Sequence, residues 1–416
     1  SSALDDNKEK DLSDPSAGRI IDLVRKAYSK ASTGREIDEI RWIQAYRNYR
    51  GIYGPDVQFS GTEKSQVFVK VTKTKVLAAY GQIVEVLFGN NKFPITVDPT
   101  TLPEGVVESV FFESNPELVK AQEISSEDKK LLPGETTPQL QERLAGLQSK
   151  LEPVADRLQE GTGTTASQIS FQPALVAAKK MEKKIHDQLE ESNANKQLRV
   201  AAFETALFGT GIMKGPFAVD KEYPNWDEEG VYSPTIKTIP QTSSVSVWNF
   251  YPDPDAANMD EAEYVVERHK MSRSQMRALK RRPFFRSNCI DMALSMGENY
   301  VKEWWEQAME DESHESKAQR YEVLEFWGNV DIDVLEGHDV DIPEDMKDLD
   351  EISVNIWTCN GKVLRLVMNP FTPNLIPYYS VPYEVNPYSL FGVGIAENMD
   401  DTQTLMNGFM RMAVDN

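Results

Sequence analysis

Along this chain, apolar residues first recur every three to four positions, then alternate with polar ones, and return to helical spacing at the end. Asp14-Pro15 reads as an N-cap and first-turn proline, opening a helix with Ile20, Leu23, Val24, Ala27 and Tyr28 on one face. Gly34 punctuates it. A second helix is expected to direct Ile37, Ile40, Ala45, Tyr46 and Tyr49 inward before Gly51. A third, over 66–88, carries Val67, Val71, Leu77, Ile83, Val84 and Leu87, and the residues from Pro94 to Val97 read as a short strand. Residues 1–98 therefore form a mostly helical N-terminal region.

The character changes over 99–170. Pro99, Pro103, Pro116, Pro133, Pro138 and Pro153 are scattered among Glu, Gln and Ser, which predicts a mobile insertion with one or two surface helices. One long helix is then expected from Pro173 to Phe208, about 54 Å at 1.5 Å per residue, ending at Gly209. Strands follow at 212–217, 235–239, 244–250 and 264–268, broken by Pro and Gly. Ser272 and Gln275 have capping-box spacing ahead of a short basic helix, and a helix over 292–309 contains Trp304 and Trp305. Further strands are predicted at 322–332 and 352–358. Asn360-Gly361 between apolar runs is a type I′ hairpin signal, returning through 363–368. Pro370, Pro373, Pro377, Pro382 and Pro387 space out an extended segment before a final helix over 395–416. The fold class is α+β, with an α/β region over 171–390 and a closing helical segment over 391–416.

Composition adds exclusions. The chain has 416 residues, enough for two or three domains, and its 40% hydrophobic content with seven Trp, fifteen Tyr and seventeen Phe is that of a folded protein. Cys289 and Cys359 are too few for a disulfide framework or a Cys-rich zinc site. No apolar run approaches the roughly 18 residues of a membrane span, and the polar, acidic N-terminus is no signal peptide. A net charge of −21 argues against simple electrostatic DNA binding and restricts nucleic-acid contact to a local basic patch.

Candidate chemistry is sparse. Gly209-Thr210-Gly211 and Gly392-Val393-Gly394 each follow Leu-Phe, but neither continues as a dinucleotide fingerprint. The first joins helix to strand, the wrong order for a phosphate cradle. The second opens a helix whose first turns hold Glu397, Asp400 and Asp401, which repel phosphate. Both read as backbone turns. Asp253, Asp255 and Asp260 superficially resemble a cation loop, but the Gly and Glu that calcium coordination needs are missing. His186, His269, His314 and His338 have no Cys or carboxylate at ligand spacing, and no nucleophile elbow is present. Catalytic residues, metal ligands and cofactors are accordingly not assigned.

Two charge blocks stand out. Residues 268–286 hold Arg268, Lys270, Arg273, Arg277, Lys280, Arg281, Arg282 and Arg286 without one acid. They read either as a solvated helix face or as a patch touching DNA or an acidic partner chain. Residues 331–351 hold ten acids and Lys347. Within one subunit they form a solvated loop; repeated around a ring they would line an opening or dock on a basic face, and the complementarity of the two blocks points to head-to-tail association. The last helix mixes Met406, Met410, Leu405 and Phe409 with Gln403, Asn407 and Arg411, with Gly408 inside it. Gln403, Met406, Asn407, Met410 and Arg411 are the candidates for a helix at a subunit interface. That helix ends without a C-cap glycine or proline, so the sequence is expected to stop inside an element of a longer protein.

An ordered series of segments resembles the portal (head-to-tail connector) proteins of tailed bacteriophages, podoviruses in particular. Tyr46-Arg-Asn-Tyr-Arg-Gly-Ile-Tyr53 is similar to an early aromatic–basic helix end, and Leu207-Phe-Gly-Thr-Gly-Ile-Met-Lys214 to the turn into the wing strands. Trp248-Asn-Phe-Tyr-Pro-Asp-Pro254, Ala262-Glu-Tyr-Val-Val-Glu-Arg268, Glu322-Val-Leu-Glu-Phe-Trp-Gly328 and Ile376-Pro-Tyr378 follow in order. Phe391-Gly-Val-Gly-Ile-Ala-Glu397, with Asp401, Gln403, Asn407, Arg411, Asp415 and Asn416, resembles the helix running from wing to stem. No stem, clip or crown follows Asn416, and 99–170 matches nothing in the family.

The resemblance implies a helical region, an α/β wing of antiparallel strands, and a ring of twelve copies at the unique vertex of the capsid, assembled in the host cytoplasm. It implies major capsid protein, head-to-tail adaptor and tail proteins, and the terminase motor as partners, with double-stranded DNA passing through without sequence readout. It implies no enzymatic activity and no membrane. The competing reading is a metal-dependent phage nuclease or hydrolase using dispersed carboxylates such as Asp253 and Asp260. A scaffolding protein would have few paired strands, which the Asn360-Gly361 hairpin opposes.

Overall fold

The computed structural model describes residues 15–55, 57–59, 65–89, 93–99, 173–226, 231–309, 319–335, 349–371 and 375–415. They fall into two compact units, one formed by Ser1–Val86 with Asn193–Asn416 and the other by Leu87–Ser192. Nearly all of the expected insertion at 99–170 lies outside the described residues, as do Asp14 and most of the acidic block.

Helix α1 (Pro15–Gly34) follows its predicted periodicity, burying Ile20 and Val24 and packing Leu23, Ala27 and Tyr28 against the same core. Helix α2 (Glu36–Arg50) does not. Ile37 and Ile40 are 73% and 61% exposed, while Glu39, Trp42, Ile43, Ala45 and Asn48 are buried. Two polar side chains turn inward because each has a partner waiting: Glu39 accepts from Arg35 at 2.8 Å, and Asn48 donates to Asp400 at 2.6 Å. The satisfied polar groups, not the apolar count, set the buried face. Helix α3 (Val71–Phe88) starts five residues later than predicted, and 65–70 carries no regular secondary structure.

In the second unit, Pro94 to Val97 forms no strand. Helix α4 (Pro173–Glu191) fixes this segment instead, Glu182 accepting from the Val97 N–H at 3.3 Å and His186 Nε2 lying 3.1 Å from the Ile95 carbonyl. The expected 36-residue helix is therefore two. Asn193 sits at φ 54° between α4 and α5 (Ala194–Phe208), and the left-handed residue ends the α-helical hydrogen-bond run.

Two antiparallel sheets follow. The three-stranded one has the order β2–β1–β8, from β1 (Thr210–Tyr223), β2 (Thr235–Val245) and β8 (Tyr378–Pro382). The five-stranded one runs in chain order through β3 (Phe250–Pro252), β4 (Tyr264–Met271), β5 (Tyr321–Asp331), β6 (Glu351–Cys359) and β7 (Lys362–Met368). A 3-10 turn, Val247–Asn249, splits the strand expected at 244–250. The β6–β7 hairpin turns at Asn360 and Gly361, φ 50° and 67°, the positive pair that a type I′ turn requires.

Both faces of the five-stranded sheet are buried. On β5, Leu324, Phe326 and Val330 meet α1, whereas Tyr321 and Val323 pack beneath α6 (Arg273–Leu279) and α7 (Ser287–Ser295). Trp327, on that second face, joins Phe250, Tyr378 and Phe391 in the largest core cluster. The helix predicted over 292–309 is two short ones, α7 and α8 (Trp304–Met309), separated at Gly297 with φ 90°. Short α9 (Ile332–Leu335) follows β5, and α10 (Ile395–Asn398) and α11 (Asp400–Asp415) close the chain.

Candidate functional site

The two glycine pairs noted in the sequence meet each other. A Cβ on Gly209 would lie 2.5 Å from the Gly394 nitrogen and 2.6 Å from the Gly392 carbonyl, and one on Gly394 would lie 2.7 Å from the Gly209 nitrogen. Two backbones therefore cross where no side chain fits. Thr210 Oγ1 accepts from the Gly392 N–H at 2.8 Å and the Gly209 carbonyl accepts from the Tyr383 N–H at 2.8 Å. The crossing is a joint that plants the final helices on the α5–β1 turn. It is not a phosphate cradle, and Glu397 and Asp400 beyond it are already engaged. Arg41 grips Glu397 through two nitrogens at 2.9 and 2.7 Å, and Gln44 and Asn48 donate to Asp400.

Helix α11 has its polarity reversed. Gln403 and Asn407, interface candidates from the sequence, are buried within the chain. Their side-chain oxygens accept from the backbone N–H groups of Thr72 and Val69 at 3.1 and 2.9 Å, Gln403 Nε2 donates to the Val69 carbonyl, and Asp415 accepts from Ser65 at 2.9 Å. This polar ladder engages the backbone of 65–72 ahead of the helical ladder of α3. Met406 and Met410 are exposed, and Arg411 lies over the rings of Tyr53 and Phe59. The outermost apolar residues are Leu405 and Phe409, both 62% exposed, with Met412 and Val414 beside them.

The basic block divides by surroundings. Arg268 is only 2% exposed: Nε donates to Glu322 at 2.6 Å and a terminal nitrogen to the Val301 carbonyl at 2.6 Å. Burial opposes its charge, but Tyr28 and Glu322 more than compensate and hold the guanidinium above its ordinary range. It serves the interior and is withdrawn from any surface patch. Lys270 pairs with Glu306 and Lys280 with Asp291, and Arg286 is half-buried. Arg273, Arg277, Arg281 and Arg282 are exposed and have no ion pair among the described residues.

A buried ionic cluster escaped sequence spacing altogether. Lys214 Nζ, on β1, lies 2.7 Å from Glu267 Oε2 on β4 and 2.6 Å from Glu325 Oε2 on β5. His269 Nε2 is 2.7 Å from Glu325, Tyr378 donates to Glu267 at 2.6 Å, and Trp327 donates to Glu325 at 2.8 Å. Among the described residues Glu267, His269 and Glu325 form the group with metal-ligand chemistry, their donor atoms within 4.8 Å of one another. The sequence expectation that no histidine meets carboxylates therefore fails for His269. The Lys214 ammonium occupies the cation's place between the carboxylates, however, so the geometry is that of an ionic bolt between the two sheets. Burial disfavours the Lys214 charge, yet the two glutamates hold its pKa above the ordinary range. Burial likewise opposes the Glu325 charge, but Lys214 and His269 hold that carboxyl well below its usual value. The only sequence signal was Glu267 and His269 two apart, on one face of a strand.

The carboxylates considered for metal-dependent hydrolysis are dispersed. Asp253 is buried with Lys30 Nζ at 3.4 Å, Asp255 holds the same ammonium at 2.6 Å, and Asp260 is exposed on the turn. No helix among the described residues is long and apolar enough to cross a membrane. No curated protein matches the sequence significantly. The family model described as phage SU10 portal protein matches residues 154–416, well over half of the chain and all of the joint, the cluster and the closing helix. It also takes in 154–170, part of the stretch expected to match nothing in the family. These proteins are structural, not enzymatic, and this chain belongs to the phage SU10 portal protein family.

Proposed function

We propose that copies of this chain, twelve in the expected assembly, form a ring at the unique vertex of a phage capsid, pass double-stranded DNA during packaging and ejection, and anchor the tail. Family membership over 154–416 carries this reading. The ring is assembled in the host cytoplasm and resides in the virion. It contacts the major capsid protein, head-to-tail adaptor and tail proteins, and the terminase motor.

Two further features support it. Helix α11 spends its polar side chains on its own chain and turns Leu405, Phe409 and Met412 outward, a surface suited to cover by neighbouring copies. The net charge of −21 per copy sums to about −250 over twelve, which lets DNA slide and not adhere, while local basic groups supply transient phosphate contacts. The chain's part is geometric: the ionic bolt and the glycine joint keep the sheets and closing helix in a fixed relation. Electron microscopy of the purified protein tests the reading, with closed rings around a central opening expected.

A further inference from the structure

The loop that follows α6 is laid along β7. Phe285 makes an antiparallel bridge with Arg365, and the Arg286 N–H donates to the Leu364 carbonyl at 2.8 Å. The Phe285 ring packs edge-on against Trp357 at 5.3 Å. The strand register continues the row inward: Arg365 pairs with Trp357, Trp357 with Glu325, and Glu325 with Glu267. Cross-strand partners share a face of the sheet, so Arg365 stands at the outer end of the row that holds the ionic bolt.

The bolt does not neutralise it. Lys214 holds both glutamates, and two strand spacings, about 10 Å, separate β5 from β7. The Arg365 Nε is buried with no hydrogen-bond partner, and the guanidinium carbon lies 5.4 Å from the centre of the Phe285 ring. Only Nε is closed off; the two terminal nitrogens stay open to solvent. Burial lowers the Arg365 pKa from its ordinary range, Glu325 opposes the shift, and Arg282 adds to it. Arg286 and Lys362 converge nearby, since both counter the rise that burial gives the Cys289 thiol. Among the described residues Arg282, Arg286, Lys362 and Arg365 have neither an ion pair nor a side-chain hydrogen bond. Asp291, the acid on α7, is taken by Lys280. Like charges gathered without a counter-ion, around a partly buried guanidinium, disfavour the folded chain until an anion joins them.

We infer that Arg282 and Arg365, with Arg286 and Lys362 at the rim, form a binding site for a phosphate oxyanion. Phosphate suits two guanidinium groups because its oxygens accept paired N–H bonds from each planar fork. Arg273 and Arg277, one turn apart on α6, and Arg281 extend the positive surface, which fits a chain of phosphates such as a nucleic-acid backbone. The inference rests on the portal reading and deepens it by naming where phosphate is touched. The net charge of −21 does not forbid the contact, because charges beyond the Debye length of about 8–10 Å are screened.

The test is fluorescence anisotropy of a labelled DNA duplex titrated with the full chain across a salt series, with circular dichroism to confirm the fold. R282Q/R365Q should weaken binding by about tenfold or more and lower the slope of log K against log salt by about two, close to 0.9 per phosphate contact. Arg282→Gln alone, at an exposed position, should lower that slope by about one, so a folding defect at Arg365 does not decide the result. K270Q/K280Q removes the same charge from lysines that are already paired and should bind as wild type does. In a second arm, pyrophosphate should raise the melting temperature of wild type and leave that of R282Q/R365Q unmoved. Duplex binding names a nucleic-acid backbone as the source of the phosphate. Pyrophosphate stabilisation without duplex binding names a small phosphate ligand, and either result supports the site. Equal affinity and slope in wild type and R282Q/R365Q, an equal loss in K270Q/K280Q, or no response to either probe overturns it. Preference for a polyglutamate peptide over both phosphates reassigns the cations to an acidic protein and equally overturns it. Ring formation, imaged separately, reports on the portal reading alone, so the two readings fail independently.

Discussion

Replacing Lys214 by methionine keeps the length of the side chain and removes the ammonium that bridges Glu267 and Glu325. Two carboxylates are then left facing each other with donor atoms within 4.8 Å. Two unit charges at about that distance repel by roughly 3.5 kcal/mol at an effective dielectric of about 20. The variant can escape by taking up one proton, which costs about 4.4 kcal/mol at pH 7.5 for a carboxyl of pKa ~4.3, but only about 1.6 at pH 5.5. The expected loss at pH 7.5 is thus about 3–5 kcal/mol, the range for breaking a buried ion pair from one side. The pH dependence supplies the sharper test. In the native chain the Glu325 carboxyl is depressed, so its contribution is complete above the unfolded value and is lost only as pH falls through the folded one. In K214M the surviving carboxylates bind a proton more readily folded than unfolded, so the variant gains stability as pH falls from 7.5 to 5.5. Urea unfolding followed by tryptophan fluorescence measures both, since Trp327 donates to Glu325 and Trp357 stacks on His269 at 4.9 Å. K214M/E267Q/E325Q should recover most of the loss. A single-variant loss under about 1 kcal/mol at pH 7.5, or a gap to wild type that widens on acidification, would refute the bolt.

Three other expectations follow from local geometry. Gly209→Ala should cost more than the ~1–2 kcal/mol of a left-handed alanine, because its Cβ meets backbone on two sides, whereas Gly361→Ala, with only Arg25 at 4.0 Å, should cost that conformational amount alone. Equal thermal shifts for the two would contradict the crossing. Gln403→Leu should destabilise by about 1–3 kcal/mol and speed hydrogen exchange at the Thr72 amide, which loses its acceptor; unchanged exchange there would dismiss the ladder. Burial pushes the Glu204 carboxyl up to about 7, only partly opposed by the Ser246 hydroxyl and Val247 N–H, so the folded chain binds the extra proton. Stability should therefore fall as pH rises from about 4.5 to 7, and Glu204→Gln should flatten that slope and stabilise at pH 8. A denaturation series across this window decides it.

What the sequence disclosed was chiefly local. Asn360-Gly361 specified its turn because positive φ at two adjacent positions is a property of those residues themselves, and Ser272 with Gln275 closes the predicted capping box. The basic and acidic blocks were equally legible as charge. What stayed hidden depended on partners distant in the chain. Asn48 is buried beside Asp400, 352 positions away, and the Ser65 and Val69 amides bond to Asp415 and Asn407 rather than within a helix. Arg268 looked like one more surface cation until Glu322 and Val301 enclosed it. The Lys214 cluster draws from four strands, and no spacing along one segment reveals such a set. The interface candidates on the last helix split for the same reason: Gln403 and Asn407 carry polar groups that backbone 331 and 338 residues away could use, which leaves the outward face to Met406, Met410 and their apolar neighbours.

Direct imaging of the purified protein by electron microscopy tests the central claim most closely. Closed rings are expected, twelve-fold or near it, each around an opening wide enough for a DNA duplex. A chain that remains a dispersed monomer at every salt and concentration, or that assembles into particles without a central channel, would contradict it.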